Sequence, residues 1–268
     1  MEVDILEFRV PVENNRTVFV WDIPPCHSED QIYGSLHAVF SSFGPLYLLK
    51  VCPNVALGPP GFYALIKFYS AAQAGRAQRS TDGRTLLRST PLKVRLSSKQ
   101  TPHFLSDSRP LSHARCLELA NHCLGFNGWT SDIITLKELT NEEEGEEDGG
   151  LCCRLRFGCL LQLHFPRHGQ TSRGTAVVEE SFTCTGPDVL LHKRCQLQKA
   201  VRQKALVHAF SPVLLILTGN KVMVELKQTS DQLQVEQTEG ILQVNECSWS
   251  DCPVVEEEED EEVELTVS

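Results

Sequence analysis

The sequence predicts an α+β protein of two domains and an acidic tail, and three observations lead there. The chain has 268 residues, enough for two small domains. Runs rich in β-branched and aromatic residues alternate with runs of helical period. The acidic residues gather in two blocks, Glu142 to Asp148 and Glu256 to Glu264, which hold 6 and 8 acids. Outside those blocks 21 acids face 25 Lys and Arg, so the remainder is mildly basic although the whole chain carries −10. Blocks of like charge are usually solvated and unstructured, and both are expected to be so.

The first domain is expected over 15–97. Thr17 to Trp21 reads as a strand, closed by Pro24 and Pro25. Ser28 caps a helix, with Gln31 three residues on completing a capping box. Ile32, Leu36, Val39 and Phe40 recur at helical spacing. Leu46 to Val51, Phe62 to Tyr69 and Leu92 to Leu96 read as strands, and the Ala-rich stretch Ser70 to Arg79 as a helix. The order β-α-β-β-α-β is a split β-α-β, or ferredoxin-like, plan.

Two stretches of that segment carry a family resemblance. Val18-Phe19-Val20-Trp21-Asp22-Ile23 and Gly61-Phe62-Tyr63-Ala64-Leu65-Ile66-Lys67-Phe68 resemble the shorter and longer signatures of the RNA recognition motif, or RRM. Phe43-Gly44, Asp82-Gly83-Arg84 and Leu92-Lys93-Val94 fit the same pattern. The strand period gives the face. With Val18, Val20 and Ile66 inward, Phe19, Trp21, Tyr63, Leu65 and Lys67 share the open side, and Lys50, Lys93 and Arg95 join it. Exposed rings on a sheet are platforms for bases, and the cations suit phosphates. Nine Lys and Arg against four acids over 15–97 agree. Two positions depart from the family: Gly61 stands where the longer signature starts with Lys or Arg, and Leu65 replaces an aromatic platform residue.

A second domain is expected over 103–228. It opens with a helix at Ser112 to Leu124. Strand-like runs follow at Asp132 to Glu138, Leu151 to Phe165 and Thr175 to Cys184. A long helix spans about Pro187 to Phe210, and Leu214 to Leu226 reads as a hairpin turning at Gly219-Asn220. Residues 229–268 read as a mostly disordered acidic tail.

Leu119 to Trp129, with its Gly125-Phe126-Asn127-Gly128-Trp129 run, resembles the helix-to-turn segment of the Rad-fifty-two single-strand-annealing family. The resemblance extends over about residues 105 to 215 as a strand meander followed by a long basic helix. It implies a groove for a DNA backbone lined by Arg109, by Arg154 and Arg156 on a strand, and by Lys193, Arg194, Lys199, Arg202 and Lys204 on the helix. It also implies self-association, because the family forms rings. RRM and annealing module together imply a protein of DNA repair.

Other chemistries find no support. A phosphate-binding Gly-x-x-x-x-Gly-Lys loop and a Gly-x-Ser-x-Gly elbow are both missing, so no enzyme and no cofactor are expected. Cys152, Cys153 and Cys159 lack the paired spacing of a metal site, and none is expected. No apolar run is long enough to span a membrane. The absence of a secretory signal and the odd count of 11 cysteines fit a reduced compartment, nucleus and also cytoplasm. Pro253-Val254-Val255 before Glu256 to Glu259 resembles a motif that binds a ubiquitin-like modifier by strand addition. The function expected is non-catalytic binding of single-stranded DNA, with RNA and double-stranded DNA, in the damage response and recombinational repair. Two other readings stay open: an RNA-processing factor, and an interaction scaffold whose sheet holds a peptide.

Overall fold

In the computed structural model the residues described are 3–54, 60–85, 91–97, 109–147, 150–219 and 221–227, without the side chains of 141–151. The first domain has the expected order. Strands β2 (Thr17–Ile23), β3 (Leu46–Pro53), β4 (Phe62–Phe68) and β5 (Lys93–Leu96) form an antiparallel sheet in the order β3-β4-β2-β5. Helices α1 (Glu29–Phe40) and α2 (Ala71–Thr81) cover one side. α1 starts where the capping box places it: the Gln31 amide donates to Ser28 Oγ at 3.4 Å, and the Ser28 amide donates to Gln31 Oε1 at 3.2 Å. Its apolar stripe, Ile32, Leu36 and Phe40, is fully buried against Val18, Val20, Ile66 and Phe68.

The second unit is built on α3 (His113–Leu124), the meander β6 (Thr130–Glu147), β7 (Gly150–Phe165) and β8 (Gln170–Cys184), and α4 (Pro187–Phe210). Alternation along β7 sets its layers. Leu155, Phe157, Cys159, Leu161, Leu163 and Phe165 are buried and pack with Leu197, Val201, Ala205 and Ala209 of α4. The helix comes unusually close at β8. A Cβ on Gly174 would lie 2.2 Å from the Ala205 carbonyl oxygen, and Ser172 Oγ donates to the Ala209 carbonyl at 2.6 Å. The Gly-Phe-Asn-Gly-Trp turn works as a clasp. Gly125 ends α3 at φ +76°, and Trp129 Nε1 donates back to Asn121 Oδ1 at 3.0 Å with its ring edge-on to Phe210.

Two features differ from the sequence reading. The first acidic block is not an unstructured run: β6 continues through Glu142 to Glu147, paired in register with Arg154 to Gly150. Its partner strand is long and regular, so the backbone ladder outlasts the core beneath it. The second difference is at the start of the chain, which the sequence reading assigned to no element. Strand β1 (Val3–Glu7) pairs antiparallel with β9 (Val213–Thr218), which pairs with β10 (Lys221–Leu226) in the expected hairpin. Leu6 and Phe8 are buried in the second unit, and Phe8 stacks on Phe210 at 4.5 Å between ring centres. The chain thus passes through the second unit before entering the first. Asp4 and Ser70 tie the two, with Ser70 Oγ donating to Asp4 Oδ1 at 2.6 Å while it also caps α2. The expected tail, including Val254-Val255 and the second acidic block, lies outside the described residues.

Candidate nucleic-acid interface

The open side of the first sheet is organised in rows by strand register. Lys50 pairs with Leu65, Leu65 with Phe19, and Phe19 with Arg95, so one row crosses all four strands. A second row runs from Cys52 to Tyr63 on one side and from Trp21 to Lys93 on the other. Phe19 lies at the centre. Its ring is 5.4 Å from that of Trp21 and 5.6 Å from that of Tyr63, a continuous aromatic surface. All three rings are partly exposed, and both helices pack on the opposite face.

Alternation along β2 sets Trp21 on this surface, and the strand breaks its regular pairing just beyond it. The β2–β4 register shifts between Val20 and Ile23, and Asp22 takes a left-handed φ of +62°. A bulge of this kind bends the strand and re-aims a side chain. Asp22 then holds Lys93 in an ion pair of 2.8 Å, and the Arg95 guanidinium lies 5.6 Å from the centre of the Trp21 ring. Lys50 is exposed at the edge strand. Lys67 is more enclosed: burial, and next the charge of Arg16, hold its ammonium below the ordinary lysine value. An approaching phosphate would relieve that repulsion. Cys52 and Arg16 belong to this neighbourhood and were not singled out from sequence. A hydrogen bond with the Cys52 side chain, followed by burial, raises the Tyr63 phenol above its ordinary value. The sequence signal for Cys52 was its position two residues beyond Lys50 on the same strand.

Gly61, the departure from the RRM pattern, has a backbone reason. Its φ is +158°, and a Cβ there would sit 2.7 Å from the Ile23 carbonyl oxygen. Gly61→Lys, which restores the basic residue of the signature, is therefore expected to lower stability by about 1–3 kcal/mol. Thermal unfolding checks this; a melting temperature equal to that of the parent would contradict it.

The cations expected in the second domain are not brought into one groove. Arg154 and Arg156 do share a face, but it is the face of β7 turned away from α4, since the intervening Leu155 and Phe157 meet the helix. Both engage Glu179, Arg154 in a close pair and Arg156 at 3.7 Å. On α4, Lys193 pairs with Glu180 and Arg194 with Glu138 at 3.1 Å. These carboxylates arrive from neighbouring strands, a proximity no local spacing reveals. Lys199 and Arg202 are exposed, Lys204 is half-buried, and Arg109 is exposed beside the chain's first segment, its carbonyl accepting from the Val10 amide at 2.8 Å. Among the described residues no group of His, Cys, Asp and Glu is placed to hold a metal ion, and no helix is long and apolar enough to cross a membrane.

Comparison with known proteins places this architecture. A family model described as the RDM1 DSRM domain matches residues 111–214, the segment from the start of α3 to the start of β9. The solved structure of an RNA15 RRM is 31% identical, covering 31% of this chain and 91% of its own, with a TM-score of 0.26. That score is too low to add to the strand order and register above. RAD52 motif-containing protein 1 of Danio rerio is 50% identical over 256 residues, covering 93% of this chain and 91% of the relative. The Homo sapiens protein of the same name is 37% identical over 258 residues, covering 92% and 90%. The likeness runs through both units at once, and the chain belongs to the RAD52 motif-containing protein 1 family.

Proposed function

We propose that this chain is a non-catalytic nucleic-acid-binding protein that takes single-stranded DNA on the sheet of its first domain, and RNA and double-stranded DNA as further ligands, in DNA repair by recombination. The observation that carries the proposal is the partly exposed aromatic surface of Phe19, Trp21 and Tyr63, ringed by Lys50, Lys67, Lys93 and Arg95. Three adjacent rings make a sequence-tolerant stacking platform, because every base presents a π face. Cations at the row ends stand where a backbone crossing the strands would carry its phosphates. Both fit a single strand, whose bases are free to splay onto the sheet. The repair context rests on the family name of the relatives.

The second unit contributes differently. Its helix–strand–strand–strand–helix order spans residues 113–210, within the stretch that the RDM1 DSRM family model matches. Modules with such a domain recognise duplexes by shape and backbone contact. Lys199 and Arg202 are the exposed cations of α4 for that purpose. Self-association and operation in the nucleus and cytoplasm remain parts of the proposal, carried by the family likeness and by the reduced-thiol composition.

The test is a binding series with the full chain on single- and double-stranded DNA and RNA of equal sequence. Single-stranded DNA is expected to bind, and affinity is expected to fall with salt at a slope of about −0.7 per phosphate contacted. With about four contacts, log K changes by roughly −3 per tenfold rise in salt. Affinity insensitive to salt would remove the cationic half of the proposal. Clear preference for RNA over DNA would instead favour an RNA-processing role through 2′-OH contacts. Absence of binding to every oligonucleotide would leave the sheet as a peptide-binding surface.

A further inference from the structure

A cavity of about 310 Å³ lies where the edge strand β3 and helix α1 meet helix α3 of the second unit. Clefts for small ligands start at about this size and often sit between domains. Its walls come from both units. α1 contributes Tyr33 and His37, stacked on each other at 6.1 Å, and β3 contributes Tyr47 and Leu48. From α3 come Arg115, Glu118, Leu119 and His122, spaced so that one helical stripe faces the cavity.

The chemistry of the lining is aromatic and charge-balanced. The Arg115 guanidinium lies 5.5 Å from the centre of the Tyr47 ring and is paired with Glu118 at 2.7 Å. Burial, and then the neighbouring His37, hold His122 below the ordinary histidine value, so it presents a neutral ring at pH 7. Tyr69 is 3% exposed, meets the Tyr47 ring edge-on, and its hydroxyl has no hydrogen-bond partner among the described residues. A buried hydroxyl without a partner is costly and suits a ligand with polar edges. Stacking rings, an imidazole and a spare hydroxyl fit a flat, uncharged, hydrogen-bonding group better than an anion.

The cavity reaches the free edge of the sheet at Leu48. Leu48 lines it and also stands on the open face, in register with Lys67 and two residues before Lys50. Leu48 is 39% exposed at the free edge of the sheet. A strand lying along the row that ends at Lys50 leaves the sheet two residues from Leu48 on the same edge strand. We propose that the cavity receives one nucleobase of the bound strand after it passes the β3 edge, making the junction between the two units part of the binding path. This rests on the reading of the sheet as a single-strand platform.

The test uses the full chain and two lengths of single-stranded DNA, about four and about ten nucleotides, since a four-stranded sheet of this kind stacks about two or three bases. Tyr33 is 44% exposed and His37 is exposed on the same helix face, so the double variant Tyr33→Ala, His37→Ala leaves the core intact. It is expected to reduce affinity for the longer strand about tenfold, the scale of one lost stack, and to leave the shorter strand unchanged. Equal affinity of parent and variant for the longer strand overturns the proposal. A second readout is photo-crosslinking with 5-iodouracil placed at each position of the longer strand in turn. Crosslinks to Tyr33, Tyr47 or His122 are expected from one end of the strand. Crosslinks confined to the sheet at every position overturn the cavity assignment alone, whereas loss of crosslinks to Phe19 and Tyr63 as well would overturn the platform beneath it.

Discussion

Phe19→Ala combined with Tyr63→Ala is expected to weaken binding of single-stranded DNA by about 2–4 kcal/mol, some thirtyfold to a thousandfold. The two rings lie 5.6 Å apart on neighbouring central strands, and each offers one face to a base. Alanine scanning places one base–ring stack at about 1–3 kcal/mol. The losses are expected to fall short of additive, because the two rings lie against each other and removing either already loosens the other. Stability should change little: the side chains that hold the sheet to its helices, Val18, Val20, Ala64 and Ile66, project to the other side. Fluorescence anisotropy at fixed salt, with circular dichroism to confirm the fold, makes the measurement. Unchanged affinity in a folded double variant would remove the sheet from the binding mechanism. Leu65→Phe offers a converse measurement. Leu65 pairs directly with Phe19 and Lys50, so a ring there would extend the platform and raise affinity by about 1 kcal/mol.

The parts of this molecule that local rules specify are legible in its sequence. The capping box at Ser28 and Gln31, the inward Val18, Val20 and Ile66, and the outward Phe19, Trp21 and Tyr63 all follow from periods of two or 3.6 residues. What stayed hidden depends on partners distant in sequence. Strand β1 has an apolar residue on each side, Ile5 and Leu6, so no alternation marks it, and its partner lies near the other end of the described chain. The neutralisation of Arg154, Arg156, Lys193 and Arg194 by Glu179, Glu180 and Glu138 comes from strand pairing and helix docking. The family resemblance had placed Lys193, Arg194, Lys199, Arg202 and Lys204 of the helix along one groove. The acidic block at Glu142 misled in the opposite sense: like charge argued for a solvated loop, while the long partner strand drew the backbone into a ladder. In each case composition set a local preference and a tertiary neighbour overrode it.

Phe210→Ala is expected to destabilise the second unit by about 3–5 kcal/mol, the cost of emptying a large aromatic site in a packed core. Phe210 is fully buried at the C-terminal end of α4. Its ring stacks on Phe8 at 4.5 Å and receives the edge of Trp129 at 5.3 Å. Three separate stretches of chain, the segment after β1, the turn after α3 and the end of α4, therefore meet on one side chain. Truncation leaves a cavity that none of them fills easily, because Trp129 is held by its bond to Asn121 and Phe8 by the chain leading from β1. The first domain has its own core of Val18, Ile23, Ile32, Phe40 and Phe68 and does not depend on this ring. Native-state hydrogen exchange separates the two units. Amides of β7, β8 and α4 should lose protection by the stated amount, while those of β2 and β4 keep theirs. Equal loss in both would mean that the Asp4–Ser70 tie and the packing of Tyr69 against α3 make the units a single cooperative block. Retained protection throughout would show that Phe210 is not the keystone its packing implies.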